Sequence, residues 1–353
     1  MIISVTERGT FRRCRRQWDY SSTNRKGITP LAAPTALAFG TLVHKIHEDW
    51  TNNTDEEKPI DHLVAERSAV TLAEIKKTYT ERVGVGPDEV ELSSFFEQYQ
   101  LAQEMFANYT EKWGSPIPEG LELVSAEQTV VVPIPGTEHY HDDGRMSFYD
   151  DVAYKIDGVL HGPAVCSTSE NGWQYLHCLE GTLDTLVRET TGARRYWIID
   201  HKTFANHART ESLQMNDQFV AYEWIGTQLG FDVAGVIMDG MWKRTRFDKR
   251  GKERDLDKLF ERVPIIHSPE EIANFAKRLR DEALDMADPD IRIYPNVPAL
   301  LGCIDCQKYI KLCRAQERGE DVAYVIETDY TRRTDKDWDE EAADIDIYGT
   351  SAE

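Results

Sequence analysis

Long hydrophobic runs are missing from the sequence. No apolar segment approaches the roughly 20 residues needed to cross a bilayer, and the opening Met-Ile-Ile-Ser-Val-Thr-Glu-Arg lacks the apolar stretch of a secretory signal. Cysteine is also scarce, since six in 353 residues do not make the dense framework of a small secreted disulfide scaffold. We therefore expect a soluble, cytoplasmic protein with no membrane association.

The sequence also has no excess of positive over negative charge. The chain has 62 acidic residues against 41 lysines and arginines, a formal charge of −21, which argues against a surface coated in phosphate-binding lysines. A local basic region can still bind nucleic acid in an acidic protein. The N-terminal segment is such a region, with Arg8, Arg12, Arg13, Arg15, Arg16, Arg25 and Lys26.

The remaining patterns predict a mixed α/β core. Helical patterns cover about 35–50, 60–82 and 87–113, and the last two predict a helical insertion at about 55–115. Strand character begins at Leu121, and an apolar hairpin is expected at 174–203 with its turn near Gly192. A helix over about 212–229, a strand over 232–242 and a helix that begins at Ser268 follow. This order predicts a mixed central sheet flanked by helices.

The hairpin carries charged residues where a buried strand is expected. Asp200 and Lys202 follow the apolar run Trp197-Ile198-Ile199, and because side chains alternate along a strand both should point the same way. Asp184 lies on the preceding run. Two surface acids and a salt-bridged lysine would be a simpler explanation, but charged groups are rarely placed inside an apolar strand without a partner.

Two acids and a lysine at a sheet edge suit metal-dependent hydrolysis of phosphodiesters. A divalent cation neutralises the phosphate charge and lowers the pKa of bound water, and Mg²⁺ prefers oxygen ligands. Asp184, Asp200 and the backbone carbonyl of His201 could supply three oxygens. His44 would add a nitrogen ligand that favours Mn²⁺, although a lone histidine is more often a core or surface residue.

Several motifs occur in an order that resembles the RecB-like branch of the PD-(D/E)XK nucleases, which includes the CRISPR-associated RecB-like exonucleases and the AddB nuclease domain. The sequence is similar to that family in five motifs, of which the first is an opening serine and cysteine with an aromatic cluster, from Ser4 to Tyr20. The other four are Gly40-Thr41-Leu42-Val43-His44, Gly181-Thr182-Leu183-Asp184, Ile199-Asp200-His201-Lys202-Thr203 and Gln218-Phe219-Val220-Ala221-Tyr222. In the fourth motif His201 stands in place of the usual tyrosine.

The resemblance implies a restriction-endonuclease-like nuclease domain over residues 1–330 and a role for each matched residue. His44, Asp184, Asp200 and the His201 carbonyl would bind Mg²⁺ or Mn²⁺, and Lys202 would be the catalytic lysine. Gln218 and Tyr222 would contact the DNA strand. Glu127 corresponds loosely to a glutamate of the family.

The cysteines predict a second centre. Cys303, Cys306 and Cys313 place three thiolates within eleven residues, a pattern suited to zinc or an iron–sulfur cluster. The resemblance implies a 4Fe-4S cluster with Cys14 as fourth ligand, which would join the two ends of the domain. Six residues separate Cys306 from Cys313, where the family has five, and zinc and free thiols remain alternatives.

The resemblance thus implies a metal-dependent DNA exonuclease that acts on single-stranded or end-containing DNA in recombination, repair or replication, in a prokaryote or encoded by a phage and working in the host cytoplasm. The alternatives are a catalytically silent DNA-end binding subunit of a helicase–nuclease complex and a zinc-stabilised interaction protein. The acidic segment 331–353 is expected to be a flexible tail that could bind a protein partner.

Overall fold

The computed structural model describes residues 1–31, 37–52, 59–83, 89–140, 154–156, 159–161, 173–175, 177–204, 213–295 and 307–332. Its helices are α1 (Val5–Arg13), α2 (Arg15–Ser21), α3 (Leu37–Asn52), α4 (Ile60–Val83), α5 (Glu89–Trp113), α6 (Asp217–Gln228), α7 (Pro269–Ala287), α8 (Ile310–Arg318) and α9 (Val322–Asp329). Its strands are β1 (Ile2–Ser4), β2 (Ile28–Pro30), β3 (Leu121–Pro133), β4 (Glu138–Tyr140), β5 (Tyr154–Ile156), β6 (Val159–His161), β7 (Trp173–Tyr175), β8 (Cys178–Glu189), β9 (Tyr196–Phe204), β10 (Val233–Trp242), β11 (Phe260–Ile265) and β12 (Tyr330–Arg332).

A mixed six-stranded sheet is at the centre. Strands β8, β9, β10 and β11 lie side by side in that order. Strand β1 pairs with β8 on the same edge as β9, and β3 pairs along the other edge of β8. The β8–β9 hairpin is antiparallel, whereas β9 and β10 are parallel and are joined through α6. A parallel pair needs such a crossover because its strands run in the same direction. The short strands form separate pairs: β12–β2, β4–β7 and β5–β6.

Helices cover both faces of the sheet. On one face α6 and α7 bury apolar side chains such as Phe219 and Phe275 against Ile198 of β9. On the other face α3 and α5 pack around Phe106 and enclose Met241 of β10. The alternating residues of β9 and β10 therefore face two different helical layers, and the mixed α/β fold with flanking helices predicted from the sequence is confirmed.

Most of the predicted elements are present. The turn near Gly192 joins β8 to β9, and Gly192 has φ +72°. The start of α7 is a capping box in which Ser268 Oγ accepts the Glu271 N–H at 3.2 Å and the Glu271 carboxylate accepts the Ser268 N–H at 2.7 Å. The helix predicted from about 212 begins outside the described residues; helix α6 itself begins at Asp217, where the Asn216 side chain accepts the Gln218 N–H at 3.0 Å.

The N-terminal segment packs against residues 307–332. Tyr20, Ile28, Tyr309, Leu312 and Tyr330 form a small apolar cluster of their own. The Tyr309 hydroxyl donates to the Ile28 carbonyl at 2.6 Å. This contact brings the segment that follows Cys14 close to the helix that carries Cys313. Cys303, Cys306 and residues 333–353 of the acidic tail lie outside the described residues.

No helix in the described part of the chain is long and apolar enough to cross a membrane.

Candidate active site

The site lies where β8 and β9 separate. Strand β8 pairs with β1 at Cys178–Glu180 and with β9 at Thr185–Arg188. On this edge of β8, residues 181–184 lie between the two pairings and face a gap rather than a neighbouring strand. The backbone N–H of His201 bridges the gap and donates to Asp184 Oδ2 at 2.9 Å. The Asp184 carboxylate is thereby fixed beside the part of β9 that carries Asp200 and Lys202.

Three side chains converge at this gap with the atoms of a metal site. The ligand atoms of His44 on α3, Glu127 on β3 and Asp184 on β8 all lie within 4.8 Å of one another. His44 Nδ1 is 3.4 Å from Asp184 Oδ2 and 3.9 Å from Glu127 Oε1. Two carboxylates and an imidazole suit Mg²⁺ and Mn²⁺. The structure places Glu127, which the sequence assigned only loosely, with His44 and Asp184, whereas the third predicted side-chain ligand, Asp200, is not in this group.

Glu127 has an unusual backbone. It lies between the pairs Ala126–Thr185 and Gln128–Leu183, so it faces Asp184 across the ladder. Its φ is +47°, in the left-handed region that side chains with a Cβ rarely adopt. Such conformations cost of order 1–3 kcal/mol and concentrate at functional sites. The sequence related Glu127 only loosely to a glutamate of the resembled family, and no local pattern predicted its backbone conformation.

Asp200 is fully buried beside this group, and its negative charge is only partly compensated. Asp200 Oδ1 forms an ion pair with Lys202 Nζ at 3.0 Å, as the alternation of side chains along β9 predicted. Among the described residues, none donates a well-aligned hydrogen bond to either carboxylate oxygen. Burial raises the pKa of Asp200 to about 6, and the neighbouring Lys202 only partly offsets this effect. A divalent cation at the group of three ligands would supply the missing positive charge.

The surrounding acids hold two basic groups in their charged forms. Burial lowers the pKa of His44, but Asp184 and Glu127 outweigh it and raise that pKa to about 9. Burial likewise opposes the charged form of Lys202, whose pKa is nevertheless raised by Asp200 and Asp184. The acids of the site therefore favour a positive charge on His44, at the position where a metal ion would bind.

A cleft of about 370 Å³ opens from this group of residues. The start of α1, one face of α3 and the first turns of α6 form its walls. Gln218 and Tyr222 both line it, and Gln218 Nε2 donates to the Tyr222 hydroxyl at 2.7 Å, in agreement with the shared helix face predicted for them. A Cβ on Gly181 would lie 2.7 Å from Ile225 Cδ1, so glycine lets α6 approach β8.

Comparison with known proteins decides the family. A family model described as the PD-(D/E)XK nuclease superfamily matches residues 2–314. The chain belongs to the PD-(D/E)XK nuclease superfamily. A metal-dependent nuclease with a DNA substrate therefore fits the geometry of the site, because these nucleases use divalent metals.

The other comparisons add little. A search of curated proteins finds no match. Among the solved structures that match, one described as "Crystal structure of SSO0001" is 11% identical, with 70% of this chain and 85% of that chain covered. Its TM-score is 0.25, so the likeness carries no argument about fold or function.

The His201 side chain of the nuclease lies on the opposite face of β9 from Asp200. Its ring stacks on His47 with centroids 3.9 Å apart and an interplanar angle of 12°. His201 Nδ1 lies 3.3 Å from Asp239 Oδ2. Asp239 also accepts from Tyr109 and lies 3.5 Å from Arg262 Nε. We call His47, His201, Asp239, Tyr109 and Arg262 the buried polar network; the sequence analysis did not detect it.

Much of the positive charge of the basic N-terminal segment is paired with acids of other elements. Arg8 is 2% exposed and pairs with Glu282 and Asp217. Arg16 is buried against Glu317. The nearby rings of Phe11, Trp18 and Tyr20 are also buried, so they cannot stack on bases. Since Arg8, Arg12, Arg15 and Arg16 pair with acids of α6, α7 and α8, a role of this segment in nucleic-acid binding stays a prediction.

Two of the predicted cluster cysteines lie in the described part of the nuclease. Cys14, between α1 and α2, and Cys313, on α8, are half-buried free thiols. Arg16 Nη1 lies 3.6 Å from Cys313 Sγ, so α8 approaches the start of α2. Cys178 is buried in β8 and has no predicted ligand role.

Proposed function

We propose that the nuclease is a Mg²⁺- or Mn²⁺-dependent exonuclease that hydrolyses phosphodiester bonds at DNA ends during recombination, repair or replication. The observation that carries the proposal is the buried Asp200 carboxylate, with its oxygens short of partners, beside Lys202 and the three-ligand group. Asp184, Asp200 and Lys202 are all present and close together, which favours catalysis over a silent DNA-binding subunit.

Each residue then has a distinct role. His44, Glu127, Asp184 and Asp200 would hold the cation, together with the His201 carbonyl. The bound metal supplies Lewis-acid activation of the phosphate and of a water molecule. Lys202 remains protonated because its pKa is raised. It therefore orients the attacking water and stabilises negative charge in the transition state rather than acting as a base.

The cleft supports action on a strand end. Its volume of about 370 Å³ is in the range of small-molecule sites, roughly 300–1,000 Å³. Walls from α1, α3 and α6 leave room for few nucleotides of one strand at a time. Gln218 and Tyr222 are placed to contact that strand. A terminus can enter such a cleft more readily than the interior of a duplex.

A 4Fe-4S cluster on Cys14, Cys303, Cys306 and Cys313 is part of the proposal. What supports it is the approach of α8 to the start of α2 and the half-burial of Cys14 and Cys313. Two of its ligands would lie in the segment before α8 and one at the other end of the domain. Zinc on the same thiols is the alternative, and a colourless protein purified without oxygen would favour it.

Two substitutions test catalysis. Asp200→Asn and Lys202→Met should each lower the rate of nucleotide release from end-labelled oligonucleotides by about 10²-fold or more, since they remove charges that act on the transition state. Asp232→Asn and Lys277→Met change exposed residues away from the site and are the matched controls. Lys202→Met should affect kcat far more than DNA affinity.

A circular single strand separates exonuclease from endonuclease action. The proposed exonuclease should degrade a linear strand and leave the circle intact. Equal cleavage of both forms would overturn the end-specific part of the proposal, and full activity of Asp200→Asn would overturn the assignment of the site.

A further inference from the structure

A cluster of positive charge lies in the segment between β10 and β11. Seven of the 41 lysines and arginines fall within residues 243–254, where there are only two acids. In a protein with a formal charge of −21 this is, with the N-terminal segment, one of two marked local excesses of cations. We call residues 243–254 the cationic hairpin. Solubility does not require it, because the rest of the chain already carries a large net charge.

The cationic hairpin is an ordered turn. Phe247 and Glu253 form an antiparallel bridge. Inside the turn, the Asp248 carboxylate accepts the N–H groups of Arg250 at 2.8 Å and Lys252 at 2.9 Å. Gly251 has φ +75°, a conformation that glycine adopts without strain. The tip is therefore held in one shape by hydrogen bonds from its own N–H groups to the Asp248 carboxylate.

Its cations divide into two groups. Arg246 is used to build the hairpin, because it pairs with Glu111 of α5 and with Glu253. Lys249, Arg250 and Lys252 at the tip are exposed. No ion pair joins these three side chains to another residue in the described part of the chain. A row of unpaired cations on an ordered turn is a surface for an anion, and repeated cations suit a polyanion.

An exposed aromatic ring accompanies these cations. Phe247 is 51% exposed at the start of the turn. Exposed rings beside lysines and arginines are the combination that binds bases and phosphates of nucleic acids. A protein partner with an acidic surface would not need this ring.

The cationic hairpin projects from the same end of the sheet as the active site. Gly240 of β10 pairs with Lys202 of β9, and the Lys243 N–H donates to the Phe204 carbonyl at 2.8 Å. Arg250 at the tip is ten residues beyond Gly240. At ~3.3 Å per residue the tip is at most about 33 Å from Gly240, the strand neighbour of Lys202. That distance corresponds to about ten base pairs of B-DNA.

We propose that the cationic hairpin binds the DNA backbone next to the end being degraded, with Lys249, Arg250 and Lys252 on phosphates and Phe247 against an exposed base. This inference rests on the proposed function for its substrate. The hairpin would hold the DNA outside the cleft, where most of the N-terminal arginines are less suited because Arg8, Arg12, Arg15 and Arg16 are paired with acids. The cleft itself binds only the terminal nucleotides.

A charge-reversal triple tests the proposal. Lys249→Glu/Arg250→Glu/Lys252→Glu should weaken binding to a duplex of about 20 base pairs with a single-stranded overhang by about tenfold or more at low salt. The slope of log affinity against log salt should fall by about 2 to 3, because each lost phosphate contact removes roughly 0.9. Fluorescence anisotropy without divalent metal measures both quantities and requires no cleavage.

The matched control reverses three exposed cations at other places. Arg194→Glu/Arg195→Glu/Lys277→Glu changes the net charge equally, but Arg194 and Arg195 lie in the turn at the opposite end of β9 from Lys202. This control should keep most of the affinity and the salt slope. The hairpin triple should keep the melting temperature of the wild type, because its side chains are exposed and have no ion pair among the described residues. The control triple should lower it, because Arg194 and Arg195 pair with Glu122 and Glu189, so affinities are compared well below both melting transitions.

Two results would overturn the proposal: an unchanged affinity and salt slope in the hairpin triple, or an equal loss in the control triple. Phe247→Ala gives a second measurement, since it should weaken binding to the overhang DNA more than to a blunt duplex of equal length. If the wild type binds DNA through the hairpin but cleaves nothing with Mg²⁺ or Mn²⁺, the proposed function fails and the hairpin assignment stands.

Discussion

At the scale of single residues, we expect protonation of His44 to set the pH dependence of metal binding. Its pKa of about 9 in the metal-free protein means that a proton occupies the ring at neutral pH. A metal must displace that proton, so the apparent Kd for Mn²⁺ should fall about tenfold per pH unit between pH 6 and 9 and level off above. Below about pH 6 the slope should steepen, because Asp200 also takes up a proton. Titration of Mn²⁺ followed by electron paramagnetic resonance measures the effect.

The variant His44→Gln is the control for that measurement. It keeps a polar side chain but has no titrating ring, so its Mn²⁺ affinity should be weaker and nearly flat between pH 6.5 and about 9. A variant with the wild-type pH slope would assign the proton to another group.

Glu127 combines a proposed ligand role with backbone strain, and two substitutions separate the two. Glu127→Gly and Glu127→Ala both remove the carboxylate, so both should weaken Mn²⁺ binding by a similar factor, about tenfold or more. Only glycine relieves the cost of φ +47°. Glu127→Gly should therefore be more stable than Glu127→Ala by about 1 kcal/mol. Urea unfolding without metal measures the difference, and equal stability of the two variants would show that this conformation stores no strain.

At the scale of elements, the sequence predicts features that follow from local patterns, but not features that depend on pairing between distant segments. The alternation along β9 was sufficient to place Asp200 and Lys202 on one face, and the capping box was sufficient to locate the start of α7. Nothing local marks the gap between β8 and β9, because it arises from the pairing of β1 with Cys178–Glu180. The positive φ of Glu127 likewise depends on the β3–β8 ladder.

The buried polar network links the helical layer to the metal-bearing strand. Arg262 and Asp239 are cross-strand partners on β11 and β10, and Tyr109 from α5 contacts both. Asp239 in turn faces His201, whose N–H holds the Asp184 carboxylate. An element on one face of the sheet is thus connected to a ligand in the gap between strands. Stability and metal affinity should both depend on Asp239.

Asp239→Ala should be costly because it leaves Arg262 as a buried charge without its carboxylate. We expect a loss of about 3–5 kcal/mol in the free energy of unfolding and weaker Mn²⁺ binding. The double variant Asp239→Leu/Arg262→Met removes both charges and should recover much of the stability. Its Mn²⁺ affinity should stay low, because His201 still lacks its partner. Recovery of both properties in the double variant would show that the network acts on stability alone.

The termini and the charge distribution matter at the scale of the whole molecule. Arginines of the N-terminal helices pair with acids of α6, α7 and α8, so this basic segment joins several elements of the fold. The cationic hairpin instead carries three exposed cations that have no ion pair among the described residues. Composition alone could not separate these two basic segments, because the difference depends on which acids the fold brings near each of them.

The proposed cluster would add a covalent connection between the two ends of the domain. Closing a loop of almost the entire chain removes conformational entropy from the unfolded state, in the simple chain model. Cys14→Ser should therefore bleach the absorbance near ~400 nm expected of a cluster and lower the melting temperature. Cys178→Ala changes a buried thiol with no predicted ligand role, so it should keep the colour even if it alters stability. Retention of the full absorbance in Cys14→Ser would exclude Cys14 as a ligand, and zinc in place of iron by elemental analysis would favour the alternative metal on the same thiols.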